Sequence, residues 1–431
     1  MKRLLAILLA AMMLCSVLAV SAAADNAIVE ITDPITITFW EMLDNETYDA
    51  DLQGVVDAFN AGIGADLGIT VDMQVISGGT ATMETQLIAA IRAGAGVPNV
   101  VMTEATYVPD YLMADCIVDL TPYIESEEYG LDLSDYYDFF VDLGSSYTEE
   151  GTYTLPAYVS GEVMYYNVTF FEENGLTVPT TWDEMVETCT KITEITGRPA
   201  FGWDDSFKTF TTLISQAGAG YTDAEGNILF GGDNLQTAID AVQWYKDQID
   251  AGIFRTPGED YYFSGPFGRG DVQLYIGSGN EAQWIQYKIP EGTTMEWACA
   301  PIPQGKDGWT GDAADYSENF VYAIMDVNDD AQAKMASWIF LQYLEQPENV
   351  FAVTTSDAFM PYLKSVGESE EWNAAAGTAQ KAELAQADAF YTYAGFDGAS
   401  VLRSDATLAI QNILDNGADA AETITALAAN Y

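Results

Sequence analysis

The chain contains no histidine. Histidine is the commonest general base and transition-metal ligand, so serine triads and histidine-bearing zinc sites are excluded. Cysteine is scarce as well: Cys15, Cys116, Cys189 and Cys299 stand far apart. With Cys15 inside the leader described below, three remain. They leave room for one disulfide in an oxidising compartment, but buried free thiols are the simpler reading, and the spacing dictates no pairing. The third shortage is positive charge, with 15 Lys and Arg against 66 Asp and Glu, a net charge of −51. Such a field repels nucleic acid and anionic membranes and slows polyanionic ligands, leaving neutral or cationic partners. Solubility, in salty surroundings, is the plainer account of the same charge.

Past the first residues no long apolar run appears. The opening MKRLLAILLAAMMLCSVLAVSAAAD has Lys2 and Arg3, an apolar core and then small residues, which reads as a secretory signal over 1–24, cleaved after Ala22 or Ala24. The run from Leu4 to Val20 is short for a membrane anchor, and Leu14 before Cys15 argues against lipid attachment.

What remains is 49% hydrophobic and 12% aromatic over the whole chain, enough for two domains of ordinary size, each with its own core. In ITITFWEML, Ile35, Ile37 and Phe39 alternate with Thr36 and Thr38 as in a strand. Leu52, Val55, Val56 and Phe59 recur at helical spacing with Asp49 or Asp51 as cap, and GITVDMQVI alternates again. A helix from Met83 to Arg92, a Gly/Pro break and the run NVVM from Asn99 complete the pattern of a parallel sheet covered by helices. The alternation resumes after YTLPAYVSGEVMYYN, whose Pro156 and Gly161 mark a crossing between domains. Helices are predicted around 181–196 and 234–249. YTDAEGNILF reads as a hairpin rather than a calcium loop, because the rest of that pattern is missing. NFVYAI is a short buried strand, NDDAQAKMASWIFLQYL a capped helix, and the stretch from Ser404 a helix interrupted at Asn416 and Gly417.

These pieces follow a familiar order. ITITFWEML, LQGVVDAFNAG, GITVDMQVI, QLIAAIRAGAGVPNVVM, YTLPAYVSGEVMYYN, VPTTWDEMVETCTKI, GRGDVQLYIGSGNEAQW, WACAPIPQG and ENFVYAIMDVNDDAQAKMASWIFLQYL span nearly the whole chain after the leader. Together they resemble the extracellular solute-binding proteins of bacterial ABC importers, family 1, the group that includes the maltodextrin-binding proteins. Asn99 departs from the usual Pro-Asp of that group. The resemblance implies an α/β, two-lobed periplasmic-binding-protein fold of type II, each lobe a mostly parallel sheet flanked by helices, joined by a hinge, with ligand held in an interlobe cleft and the lobes closing on it. It implies an N-terminal lobe of 25–158 with 316–385 and a C-terminal lobe of 159–315 with 386–431. The protein would be a monomer without cofactor or catalysis, secreted across the cytoplasmic membrane to the periplasm or cell envelope, with permease subunits as partners.

Candidate ligand groups follow from strand ends and aromatic–polar mixtures. Trp40 offers a flat apolar face to a pyranose, with Glu41, Asp44 and Asn45 as hydrogen-bond partners; a core tryptophan beside a solvated loop is the competing reading, and Glu41 has the further option of facing solvent. Gly79, in SGGTATME, presents backbone N–H groups or simply starts a helix capped by Thr80 or Thr82. Glu104 and Tyr107 follow a buried strand at the same sheet edge. Tyr158, Glu162 and Glu318 mark the crossings. In the second lobe Trp203 (expected to be exposed beside Gly202 and two acids), Asp204, Ser278, Asn280 and Trp284 combine aromatic platforms with planar polar groups, a core position being an equal reading for Trp284, and Tyr393 and Phe396 line a wall. The expected ligand is a neutral mono- or oligosaccharide. A polyamine held by cation–π contact and carboxylates is the alternative within the fold. A secreted glycoside hydrolase, which needs only two carboxylates, is the alternative outside it.

Overall fold

The computed structural model describes residues 28–431 except 44, 45, 224, 310, 312, 356–358, 392, 394 and 397; for 46 and 316–319 it describes the backbone only. The expected signal segment, Asp44, Asn45 and the side chain of Glu318 therefore lie outside the described residues. The strands are β1 (Ile35–Glu41), β2 (Ile69–Val75), β3 (Val100–Glu104), β4 (Leu155–Asn167), β5 (Phe201–Trp203), β6 (Phe254–Arg255), β7 (Leu274–Ser278), β8 (Trp297–Ala300) and β9 (Tyr316–Ile324).

The chain divides into two units. The first holds residues up to Tyr136, Glu149–Ala157 and Phe320–Val353. Its strands lie in the order β2-β1-β3-β9. β1 pairs in parallel with β2 along its whole length, from Ile35 opposite Ile69 to Glu41 opposite Val75, and in parallel with β3; β9 runs antiparallel to β3. The alternation in β1 does what its sequence promises: Ile37 and Phe39 are buried while Thr36, Thr38 and Trp40 turn to the other face. Phe39 meets Tyr322 and Phe340 edge-on, and Phe59, from the helix Glu46–Ala61, meets Phe340 the same way. From that helix Asn60 clamps β2, donating to Val71 O at 2.9 Å and accepting from Val71 N at 2.7 Å. The helix Ala331–Leu344, N-capped by Asp330, covers this sheet with Met335, Trp338, Ile339 and Phe340.

The second unit holds Tyr137–Thr148, Tyr158–Asn319 and Thr354–Tyr431. Within it β4, β7, β5 and β6 lie side by side; β5 runs parallel to both β6 and β7, while β7 and β8 flank β4 antiparallel. Residues 354–385, expected with the first lobe, cluster here, and so do 137–148. The chemistry is specific: buried Glu383 accepts from Ser160 Oγ at 2.9 Å and Gly161 N at 2.8 Å, and Gln386 donates to Glu162 O at 2.6 Å. Phe139 packs on Phe390, whose ring occupies the space a side chain at Gly161 would need.

Local signals explain most elements. Thr181 and Glu184 form a capping box at the start of the helix Trp182–Thr196, so two otherwise orphaned N–H groups are satisfied. The predicted hairpin is present as a bridge between Thr222 and Ile228, with Asp223 accepting from Glu225 N and Asn227 N. Gly79, not Met83, opens the helix Gly79–Ala93; Gly78 sits at φ 108, and Thr82 donates back to Gly78 O instead of capping.

One buried amide ties the second unit together. Gln216, fully buried, accepts from Trp182 Nε1 at 2.7 Å and donates to Pro303 O, Gln304 Oε1 and Ala313 O at 3.1, 3.0 and 2.9 Å. Gln216→Ala strands those groups in a dry interior, which should destabilise the protein by about 3 kcal/mol. Urea unfolding checks this; a midpoint equal to wild type would mean the network carries no net stability.

Candidate functional site

Because β1, β2 and β3 are parallel, their carboxyl ends share one edge of the first sheet, where ligands of open α/β sheets bind. Trp40, Glu41, Gly79, Glu104 and Tyr107 all follow from that edge. Trp40 is half-buried and donates Nε1 to Gln74 Oε1 at 3.1 Å, its register partner on β2. Glu41 turns to the other face: it is fully buried, and Oε2 accepts from Leu43 N at 3.0 Å, which shapes the turn out of β1. The solvent-facing option for Glu41 is thereby removed, because strand parity sends it inward beside Phe39. Gly79 has open space around it at φ 72. Glu104 and Tyr107 are half-buried, with Thr106 donating to Glu104 at 3.2 Å.

Below this edge lies an acid that sequence reasoning missed. Glu84 lies on the buried face of the helix Gly79–Ala93; Thr103 donates to it at 2.6 Å and the Tyr111 hydroxyl donates to its other oxygen. Burial outweighs both hydrogen bonds and pushes Glu84 up to about 7.

In the second unit the carboxyl ends of β5 and β7 lie together, and Glu162 of β4 pairs in register with Ser278. Glu162, Trp203, Asp204, Ser278 and Asn280 are thus brought to one place. Trp203, however, is not exposed. It is buried, stacks on Trp182 with ring centroids 5.7 Å apart, and donates Nε1 to Glu162 at 2.6 Å. The neighbouring Gly202 serves packing: a Cβ there would fall 1.9 Å from Phe263 Cζ. Asp204 is half-buried; it accepts from Phe263 N, and desolvation together with the Glu281 carboxyl beside it holds its pKa well above the carboxylate range. Ser278 caps the turn Gly279–Glu281, and Asn280 donates its N–H to Ser160 Oγ at 3.1 Å and accepts from Gln283 through Oδ1. Trp284 stands in solvent. Tyr158 is buried against Phe359. Phe396 covers the turn at Gly226, away from this group.

Tyr393 joins a second cluster. Its hydroxyl donates to Asp315 and, at 3.0 Å, to Thr211; Thr211 donates to Asp315 at 2.8 Å. Lys208 lies 3.7 Å from Glu162 and lowers the pKa of both Glu162 and Asp315, yet burial still raises them to about 7 and about 6. An isolated lysine within SFKTFTTLI was the available signal for this buried cation. The three cysteines are free, and among the described residues no group of three or more Cys, Asp or Glu is placed to hold a metal ion.

Three buried acids, Glu84, Glu162 and Asp315, and two half-buried ones, Asp204 and Glu281, therefore have raised pKa values. The folded state binds protons that the unfolded chain releases, so their contribution is fullest below the ordinary carboxylate range of about 4 and is lost as pH rises towards about 7. The lowered acids Asp132, Glu184, Asp260 and Asp329 are exposed and Asp223 is half-buried, and all five act only below that range. The melting temperature should rise as pH falls from about 8 to about 5; a flat or falling profile in differential scanning calorimetry would sink this account.

Residues 54–380 match the family described as bacterial extracellular solute-binding protein. The arabinooligosaccharide-binding protein of Bacillus subtilis (strain 168) is 30% identical over 244 residues, 52% of this chain and 52% of that protein. The chain thus spans about half the length of the relatives it matches by sequence. Among solved structures, the sugar-binding protein MalE of Xanthomonas citri aligns with a TM-score of 0.77 at 20% identity, covering 92% of this chain and 96% of that one. The cyclic alpha-maltosyl-1,6-maltose binding protein of Arthrobacter globiformis aligns at 0.76 and 21%, covering 92% and 100%. At such identities these two establish the fold, the two-unit α/β architecture expected from the sequence. The match over residues 54–380 establishes the family: this chain is a bacterial extracellular solute-binding protein.

Proposed function

We propose that the protein captures a neutral carbohydrate outside the cytoplasmic membrane and delivers it to the permease of an ABC importer, making and breaking no bond. One observation carries the reading: in both units a tryptophan with accessible surface, Trp40 in one and Trp284 in the other, follows a parallel strand to its carboxyl edge beside amide and hydroxyl groups. Aromatic faces suit the C–H faces of sugars, and planar polar groups suit their hydroxyls. The name of the Bacillus subtilis relative supports an oligosaccharide. No helix among the described residues is long and apolar enough to cross a membrane.

The net charge of −51 favours a second reading, a polyamine enclosed by aromatics and carboxylates. Thermal-shift screening against mono- and oligosaccharides and spermidine separates the two, since a ligand that binds only the folded state raises the melting temperature. Sugars should stabilise and spermidine should not; the reverse result overturns the carbohydrate assignment and keeps the family. Steady release of reducing sugar would overturn the binding-only reading. Trp40→Ala should weaken sugar binding about tenfold, the loss expected for a stacking ring, while the melting temperature barely moves. A large fall in melting temperature with unchanged affinity would return Trp40 to a structural role.

A further inference from the structure

Three buried oxygen groups meet beneath the carboxyl edge of the first sheet. Glu84 is 5% exposed, and Thr103 and Tyr111 are fully buried. Thr103 Oγ1 lies 2.6 Å from Glu84 Oε1 and 2.9 Å from the Tyr111 hydroxyl, and that hydroxyl hydrogen-bonds Glu84 Oε2. The groups form a closed ring of three contacts, and each contact needs one hydrogen. The two hydroxyls supply only two. With both donating to an ionised Glu84, Thr103 and Tyr111 face each other through lone pairs alone; with a proton on Glu84 the ring is complete.

The surroundings favour the same proton. The charged groups that face Glu84 are both acids, Glu104 from β3 and Asp110 from the helix Val108–Met113, and each opposes its ionisation. On its own helix the neighbours on the buried side are Met83 and Leu87, and the basic Arg92 stands in the last turn, about 12 Å along the axis. The ring also joins three segments that reach the edge where the solute candidates stand. Glu84 belongs to the helix that begins at Gly79, Thr103 precedes Glu104 at the end of β3, and Tyr111 lies in the helix that follows the turn Ala105–Tyr107. One carboxyl thus sets the spacing of Gly79, Glu104 and Tyr107.

We propose that Glu84 is a positioning residue for the solute edge of the first unit, holding Gly79, Glu104 and Tyr107 in their binding arrangement while it carries a proton and freeing them on ionising, so that solute capture is proton-linked. The inference deepens the solute-binding reading and rests on it. Ionisation leaves a buried charge between two acids and removes the hydrogen that the ring needs, so the three segments part until water reaches the carboxylate. Burial pushes Glu84 up to about 7, so the hold is complete at acid pH and is lost as pH rises through neutrality.

Hydrogen exchange read by mass spectrometry tests the hold without a ligand, on the full chain and on Glu84→Gln. The glutamine amide mimics the protonated acid, accepting from one hydroxyl and donating to the other, and it does not titrate. In peptides covering 76–84 and 103–112, the ratio of wild-type to variant exchange should climb about tenfold from about pH 5.5 to about 8.5, because only the wild type loses this proton. Comparison at matched pH cancels the intrinsic rate and the other buried acids. Calorimetric titration with maltotriose then reads the site: wild-type affinity should fall about tenfold over that range while the variant's holds. A flat exchange ratio overturns the proposal, and so does a maltotriose affinity whose pH dependence is the same in both proteins. A Glu84→Gln chain that does not fold overturns it as well, because glutamine completes the same ring. If the ratio climbs and neither protein binds maltotriose or arabinotriose, the proton-dependent hold stands and the carbohydrate reading falls.

Discussion

Parallel pairing at the centre of each unit is the constraint on which the other features depend. β1 lies between β2 and β3, and β5 between β6 and β7, all running the same way within their sheets. Parallel strands need a crossover between them, so every carboxyl end releases a loop at one edge and every amino end receives chain at the other. The functional candidates of both units follow from this geometry alone. Trp40 and Glu104 in the first unit, and Asp204, Asn280 and Trp284 in the second, come from distant parts of the chain to a common edge because their strands are parallel.

Chain composition then sets how polar groups inside can be satisfied. With 15 basic residues for 66 acids, few buried carboxylates can have a cation. Lys208 serves two of them, Glu162 and Asp315. Other buried carboxyls accept from neutral donors: Glu84 from Thr103 and Tyr111, Glu345 from Tyr136, and Glu383 from Ser160 Oγ and Gly161 N. A hydroxyl donor stabilises a carboxylate less than a cation does, so at Glu84 burial prevails and the pKa is raised. The absence of histidine and the scarcity of lysine thus shape the acid–base behaviour of the interior as well as the surface field.

Much of this was legible in the sequence where the cause is local. The parity of β1, the apolar stripe of Glu46–Ala61 and the capping box at Thr181 are read directly from spacing, and the order of elements points to the family. The features that local spacing does not report share a cause, which is that the deciding partner is remote in the chain. Residues 354–385 cluster with the second unit, where Glu383 meets Ser160 and Gly161. Glu84 looks like an ordinary exposed acid on a helix until Thr103 and Tyr111 are placed over it.

Two tryptophans show why residue type at a strand end is an incomplete guide to function. Trp40 and Trp203 occupy comparable places, each at the last turn of a parallel strand and each followed by acids. In β1 the buried positions are Ile37, Phe39 and Glu41, so parity puts Trp40 on the opposite face, where only Gln74 touches its N–H in register. In β5 the buried positions include Phe201 and Trp203, and the helix Trp182–Thr196 presses Trp182 against the latter; the intervening Gly202 lies under Phe263, so the strand is covered on both faces. A strand covered on both sides has no aromatic to spare for a ligand. The aromatic rings of the second unit that remain in water lie instead in the segments after β6 and β7, Tyr262 and Trp284 among them.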